Sequence, residues 1–179
     1  LVEHLPPDED IEYPTSGTSK EMILGIGGYD YGKLVSNSMH TQFGITCMNN
    51  CHMAPTMEWP NEENAETYLL ISPDGKENVD VCNKCHPPAV GMGLHSFDSS
   101  RFNRAPIKDF DGNGTAEGVQ GEVRGLLDVL LKAIQDSGVT ILDQDPFWEN
   151  VTTKSQKLAI YNWSFVNHDK SMGVHNTAR

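Results

Sequence analysis

Cys47, Cys51, Cys82 and Cys85 are the chain's four cysteines, and they fall in two close pairs, each running directly into a histidine. The second pair reads Cys82-Asn83-Lys84-Cys85-His86. The first reads Cys47-Met48-Asn49-Asn50-Cys51-His52, with one more residue between the sulfurs. A close cysteine pair with His at the next position is the attachment signature of c-type haem. Two thiols add across the two vinyl groups of one porphyrin edge. The next side chain then swings under the ring so that its imidazole reaches the iron, and a second axial ligand must come from elsewhere. Three other readings use the same cysteines: a four-thiolate zinc site, a pair of disulfides, and a thioredoxin-like redox pair. No βαβ pattern surrounds them. With seven histidines in 179 residues, two standing by chance directly after both pairs is a rare arrangement, so the weight falls on two covalent haems.

With His52 and His86 taken as proximal ligands, five histidines remain: His4, His40, His95, His168 and His175. His175 and His40 rank first as distal ligands, then His95, which follows the flexible string Gly91-Met92-Gly93-Leu94 and can fold back onto a ring. His4 and His168 rank last. Met39, Met48, Met53, Met57, Met92 and Met172 offer thioether ligation instead, although methionine more often simply packs.

A second group of oxygen-bearing residues lies further on. Asp109, Asp111, Asn113, Gly114 and Thr115 follow the first half of an EF-hand-like calcium loop, and Glu117 or Glu122 could close it. Position 12 would be Gln120, so a full EF-hand is not present. The competing reading is an Asp/Gly turn that places negative charge at a helix start.

The elements that position these groups are sparse. Residues 1–26 read as an extended, acidic, proline-bearing arm, solvated to about Lys20, with a short apolar strand or turn at Met22–Ile26. Tyr29–Met39 reads as a short helix leading into His40. Residues 27–105 hold both cysteine motifs, many Pro, Gly and Asn, and a short strand at Tyr68–Ile71. A loop-rich stretch of that length suits a domain whose apolar interior comes from two flat cofactors. Residues 106–179 carry the Asp/Gly loop and two helices. The first runs over Glu117–Gln135, where Val119, Val123, Leu126, Leu127, Leu130, Leu131 and Ile134 recur at helical spacing, and stops at Gly138. The second runs over Thr153–Asn167, capped by Thr152 or Thr153. The linker carries Asp143, Asp145 and Pro146. An antiparallel hairpin of these two helices packs on the haem region. The fold class expected is therefore mainly α with extensive loops.

Composition excludes several partners. Residues AVILMFWYC make up 37%, thin for a self-sufficient core, and 13 Lys+Arg stand against 25 Asp+Glu, for a formal charge of −12. Such a surface repels phosphate backbones, so no nucleic-acid partner is expected. No apolar run approaches the roughly 20 residues of a membrane span. No signal peptide is present and residue 1 is Leu, so the chain reads as a processed or trimmed product.

The strings Gly28-Tyr29-Asp30-Tyr31, Asn37 to His40 and the first cysteine motif with Met53 resemble the multihaem c-type cytochromes. So do Asp109 to Gly114, Glu117 to Glu122, Tyr161-Asn162, Phe165-Val166 and Gly173-Val174-His175-Asn176. The likeness spans roughly residues 27–177. It departs in the first motif, with three intervening residues rather than two, and in having only two motifs where relatives often carry four or more. The resemblance implies a small haem-cored cytochrome that transfers electrons between redox proteins and is not an enzyme, located in the periplasm or at the cell surface. It also implies that His40 and His175 are distal ligands. Spare histidines suggest self-association into an extracellular filament with haem ligands crossing between subunits. The alternatives are a reductase with one open haem iron and a zinc-binding interaction module.

Overall fold

The computed structural model describes residues 13–14, 17–29, 31–32, 36–52, 70, 77–86, 108–142 and 147–176. The described chain is mostly helical, with loops and one small sheet. Its frame is a pair of helices, α4 (Val119–Asp136) and α5 (Lys154–Asp169). Among the described residues, three shorter α-helices precede them: α1 (Ser19–Leu24), α2 (Met39–Gln42) and α3 (Asp80–Asn83).

Helix α5 begins as the sequence predicts, with Thr153 as its N-cap. The Thr153 hydroxyl accepts the Gln156 N–H (3.2 Å), and Gln156 Oε1 accepts the Thr153 N–H (2.9 Å), a reciprocal capping box. Gln156 also donates from Nε2 to the Ser137 carbonyl (3.0 Å), tying the start of α5 to the end of α4. At the opposite end, Gln120 near the start of α4 reaches the carbonyl of Ser171, just beyond α5. The two helices are therefore antiparallel, as expected. The apolar stripe on α4 is wider than the face it buries. Leu127 and Ile134 are buried, whereas Leu126 and Val129 are exposed.

The linker between the helices contains a sheet that the sequence reading missed. Strands β1 (Thr140–Leu142) and β2 (Phe147–Glu149) pair antiparallel, with Ile141 opposite Trp148. Three-residue strands are too short to show a period of two, so only the β-branched and aromatic residue types hinted at them. The hairpin matters to the core. Ile134, Val139 and the fully buried Ile160 form its centre, with Tyr13, Leu130, Trp148, Val151, Ala159 and Trp163 packed round them. Trp148 meets Trp163 edge to face, ring centroids 5.5 Å apart. Trp163 in turn donates to the carbonyl of Leu127 (3.2 Å).

The N-terminal reading needs correction. Residues 1–26 are not one solvated arm, because Tyr13 joins the core and Ser19–Leu24 is helical. Lys, Glu, Met and Leu are good helix formers, and Gly25 ends the helix in the left-handed conformation at φ 68°. Met22 is buried, and the Thr18 hydroxyl donates to the carbonyl of Phe165 (2.8 Å), so α1 docks on α5. The helix expected to lead into His40 is also shorter than read, starting only at Met39. The strand expected at Tyr68–Ile71 lies outside the described residues apart from Leu70.

Two substitutions separate the core from the cap. Ile160→Ala is expected to cost about 2–5 kcal/mol, and Thr153→Ala about 0.5–2 kcal/mol. Chemical-denaturation midpoints check the order, and a larger loss for Thr153→Ala would contradict it.

Candidate functional site

The first cysteine motif forms a single π-helical turn, Cys47–His52. A π turn accommodates one residue more than an α turn and is frequent at functional sites. It absorbs the extra residue that distinguishes this motif from the second. Asn50 Oδ1 closes the turn by accepting the Thr46 N–H (2.9 Å) and hydroxyl (3.2 Å). The second motif winds more tightly. Beyond α3, the N–H groups of Cys85 (3.0 Å) and His86 (2.8 Å) both donate to the Cys82 carbonyl.

The two motif turns touch one another. Burial pushes the Cys82 thiol up to about 12, and neighbouring Cys51 and Cys85 add to the shift. Burial raises the Cys51 thiol as well, helped by Cys47 and Cys85. No disulfide joins the four cysteines to one another. Among the described residues, three or more His, Cys, Asp or Glu ligand atoms gather within 4.8 Å of one another only at Asp109, Asp111 and Glu122. The four sulfurs are thus not gathered as a tetrahedral zinc ion would need them.

The histidines are arranged differently. The His40 and His86 rings lie edge-on, with centroids 6.4 Å apart and planes at 84°, and the His52 and His175 rings lie tilted at 51°, 6.2 Å apart. Each motif histidine is therefore paired with one of the two histidines ranked highest as distal ligands. Two metal–nitrogen bonds of about 2 Å each, plus about 1.1 Å from each nitrogen to its ring centroid, give about 6.2 Å. The centroid separations are close to what two imidazoles would show across one metal ion.

His175 Nδ1 lies 2.5 Å from Asp169 Oδ1, leaving Nε2 for a metal. The His40 ring lies near the Val174 backbone. Ligand histidines usually give their second N–H to a carboxylate or carbonyl, which fixes the tautomer and ring orientation. Burial lowers the His40 pKa, and nearby His175 lowers it further, while the Val174 contact works the other way. Burial pushes the Asp169 carboxyl up. Its contacts with His175, Ser171 and Ser19 outweigh that, and the net shift is downward.

Backbone contacts set these positions. The Ser38 hydroxyl accepts the His40 N–H (3.3 Å) at the start of α2, and Ser38 itself donates to the Ile23 carbonyl of α1 (2.8 Å). His175 lies in a segment that leaves α5 at Lys170, in the left-handed region at φ 62°. The Ser171 hydroxyl accepts the His175 N–H (3.1 Å) and donates to Asp169. Buried Asn176 donates to the carbonyls of Met22 (3.1 Å) and Ser36 (3.0 Å). Gly173 is irreplaceable here, since φ is +91° and a Cβ would meet Val123 and Val119 at 2.9 and 3.0 Å. Met39 and Phe43, on either side of His40, are 58% and 74% exposed, an apolar surface that a flat porphyrin could cover.

His95 and His4 lie outside the described residues, as do Met53, Met57 and Met92. His168 belongs to neither imidazole pair; it sits in the last turn of α5. Sequence reasoning missed Asp169 and Val174. An Asp six residues before a histidine carries no signal until the helix end folds back.

The acidic loop is where the sequence placed it. The Asp109 carboxylate accepts N–H bonds from Gly114 (2.8 Å), Gly112 (2.6 Å) and Asn113 (3.1 Å). Buried Glu122 accepts from Glu117 (2.8 Å), Phe110 (2.7 Å) and Asp111 (3.4 Å). Asp109, Asp111 and Glu122 converge, while Asn113 is spent on Asp111 and Thr115 within the loop. Glu117 instead lies against Gly121. These bonds suffice to explain the loop, whose carboxylates would be the ligands of the expected calcium.

Comparison with models of known families, with curated proteins and with solved structures finds no match for this chain.

The backbone N–H groups on Glu122, that of Glu117 foremost, hold its carboxyl below the usual range despite burial. The stability it contributes is then complete above the ordinary carboxylate pKa and disappears as pH falls through the depressed folded value. Glu122→Gln is expected to lower the urea midpoint at pH 7, with the gap to the parent closing towards pH 3. A gap independent of pH would contradict this account.

Proposed function

We propose that the chain is a dihaem c-type cytochrome that carries electrons. Cys47 and Cys51 would anchor one porphyrin, and Cys82 and Cys85 the other. His52 and His175 would hold one iron, and His86 and His40 the second. The single observation that carries this reading is the pairing of each motif histidine with a distal histidine at metal-bridging separation. It favours haem over zinc, because paired imidazoles on opposite sides of an iron are what bis-histidine ligation needs.

Each haem, when bound, supplies a one-electron centre. The chain's own residues determine what that centre does. With imidazoles on both sides, no axial position stays open for a substrate, which favours electron transfer over the reductase alternative. Asp169 holds the His175 ring and Ser38 holds the His40 backbone, so little reorganisation would accompany gain or loss of an electron. Contact between the motif turns, and the electrostatic coupling of His40 to His175, support two centres lying side by side.

Covalent attachment of this kind places the protein in the periplasm or at the cell surface, where it would meet other redox proteins. No helix among the described residues is long and apolar enough to cross a membrane. Filament formation with ligands crossing between copies would draw on His4 and His95.

His40→Ala and His175→Ala test the assignment. Each is expected to keep two covalent haems while turning one centre from low-spin to high-spin and making it bind carbon monoxide. The double variant should do so at both. Low-spin spectra unchanged in both single variants would overturn the ligand assignment.

A further inference from the structure

We propose that Asp169 separates the two iron centres in potential, making the His52/His175 centre the lower of the pair. This deepens the haem reading and rests on it. The two distal ligands have different partners. His175 Nδ1 stands 2.5 Å from a carboxylate oxygen whose side chain is wholly buried. His40 lies near the neutral backbone of Val174, with no carboxylate among the groups that act on it.

A carboxylate on the remote nitrogen draws the ring N–H towards itself and makes the opposite nitrogen a stronger donor. It also places a negative charge near the metal where solvent screens poorly. Both effects favour the ferric state over the ferrous. A neutral backbone partner does much less.

The setting of Asp169 argues that the contact is built rather than incidental. It occupies the last turn of α5, where the helix dipole disfavours an anion. It is buried, which disfavours an anion again. Ser171 bonds to the same carboxylate and also holds the His175 backbone, while the Ser19 hydroxyl donates to the Asp169 backbone carbonyl (3.4 Å). The carboxylate is therefore anchored from the helix side and aimed at the imidazole. In the half-reduced protein one electron is shared between two irons. What one gains the other loses, and no proton or third reactant takes part. Asp169 biases that electron towards the His40/His86 side.

Potentiometric titration of the intact holoprotein, followed by visible and electron paramagnetic resonance spectra, tests this. The His175 centre is identified as the one that His175→Ala alters. Asp169→Asn is expected to keep both haems low-spin and to raise the potential of that centre alone. A tenfold or larger change in electron partition is expected, equivalent to about 59 mV for a one-electron couple. Equal movement of both centres, or of neither, would overturn the proposal. If Asp169→Asn fails to load haem, Ser171→Ala gives the second reading. Removing the hydroxyl leaves more charge on the carboxylate, so the same centre should shift downward, and an unmoved potential would overturn the proposal. A parent protein without covalent haem would instead defeat the underlying reading, and a spectrum taken beforehand distinguishes the two failures.

Discussion

Holding two imidazoles at a set separation, when they belong to segments far apart in the chain, requires a stiff frame between them, and α5 supplies it. Thr18 bonds to the α5 backbone and brings α1 with it. Ser38 then ties α2, and so His40, to α1. From its far end α5 releases the segment that carries His175, pinned by Ser171 and by Asn176. Both proposed distal ligands thus hang from one helix, and Asn176 closes the circuit by bonding to Met22 and Ser36. The capping box, the tryptophan pair and the small hairpin keep α5 fixed on α4. Damage to that helix would therefore reach both centres, although neither lies on it.

Two of the strings singled out in the sequence meet in space. The Tyr161 hydroxyl donates to the Gly27 carbonyl (2.8 Å), and Asn162 exchanges two hydrogen bonds with Tyr29. Segments more than 130 positions apart are joined where the sequence showed only separate motifs. These contacts dock the turn after α1 against α5, beside the path that leads to His40. A thin apolar composition is compatible with such a scaffold, because polar contacts at a few places do the joining and exposed Met39 and Phe43 leave apolar surface for a cofactor.

Much of the site was legible from residue types and spacing alone. The cysteine–histidine strings require only local geometry, and the two helices declare themselves by a period sustained over many residues. His40 and His175 rank first by position as candidate distal ligands, and among the described residues their rings lie near those of the motif histidines. What escaped was whatever depends on a chain reversal. Asp169 becomes a partner of His175 only because Lys170 turns left-handed and folds the segment back. His40 is brought near the Val174–His175 segment through the docking of α1 on α5. Strands β1 and β2 were hidden by their length, and α1 by its neighbourhood of prolines and acids. The π turn at Cys47–His52 was foreshadowed by its extra residue, but nothing in the string said whether a turn or a break would absorb it.

The central claim is that four sulfurs carry two porphyrins and that four imidazoles complete the two irons. The most direct measurement is the mass of the full-length protein under denaturing conditions, taken with its visible spectrum. The account predicts the 19.8 kDa polypeptide plus two covalent haems, with a Soret band that survives unfolding. A colourless chain at the bare polypeptide mass, or bound zinc in place of colour, would contradict it.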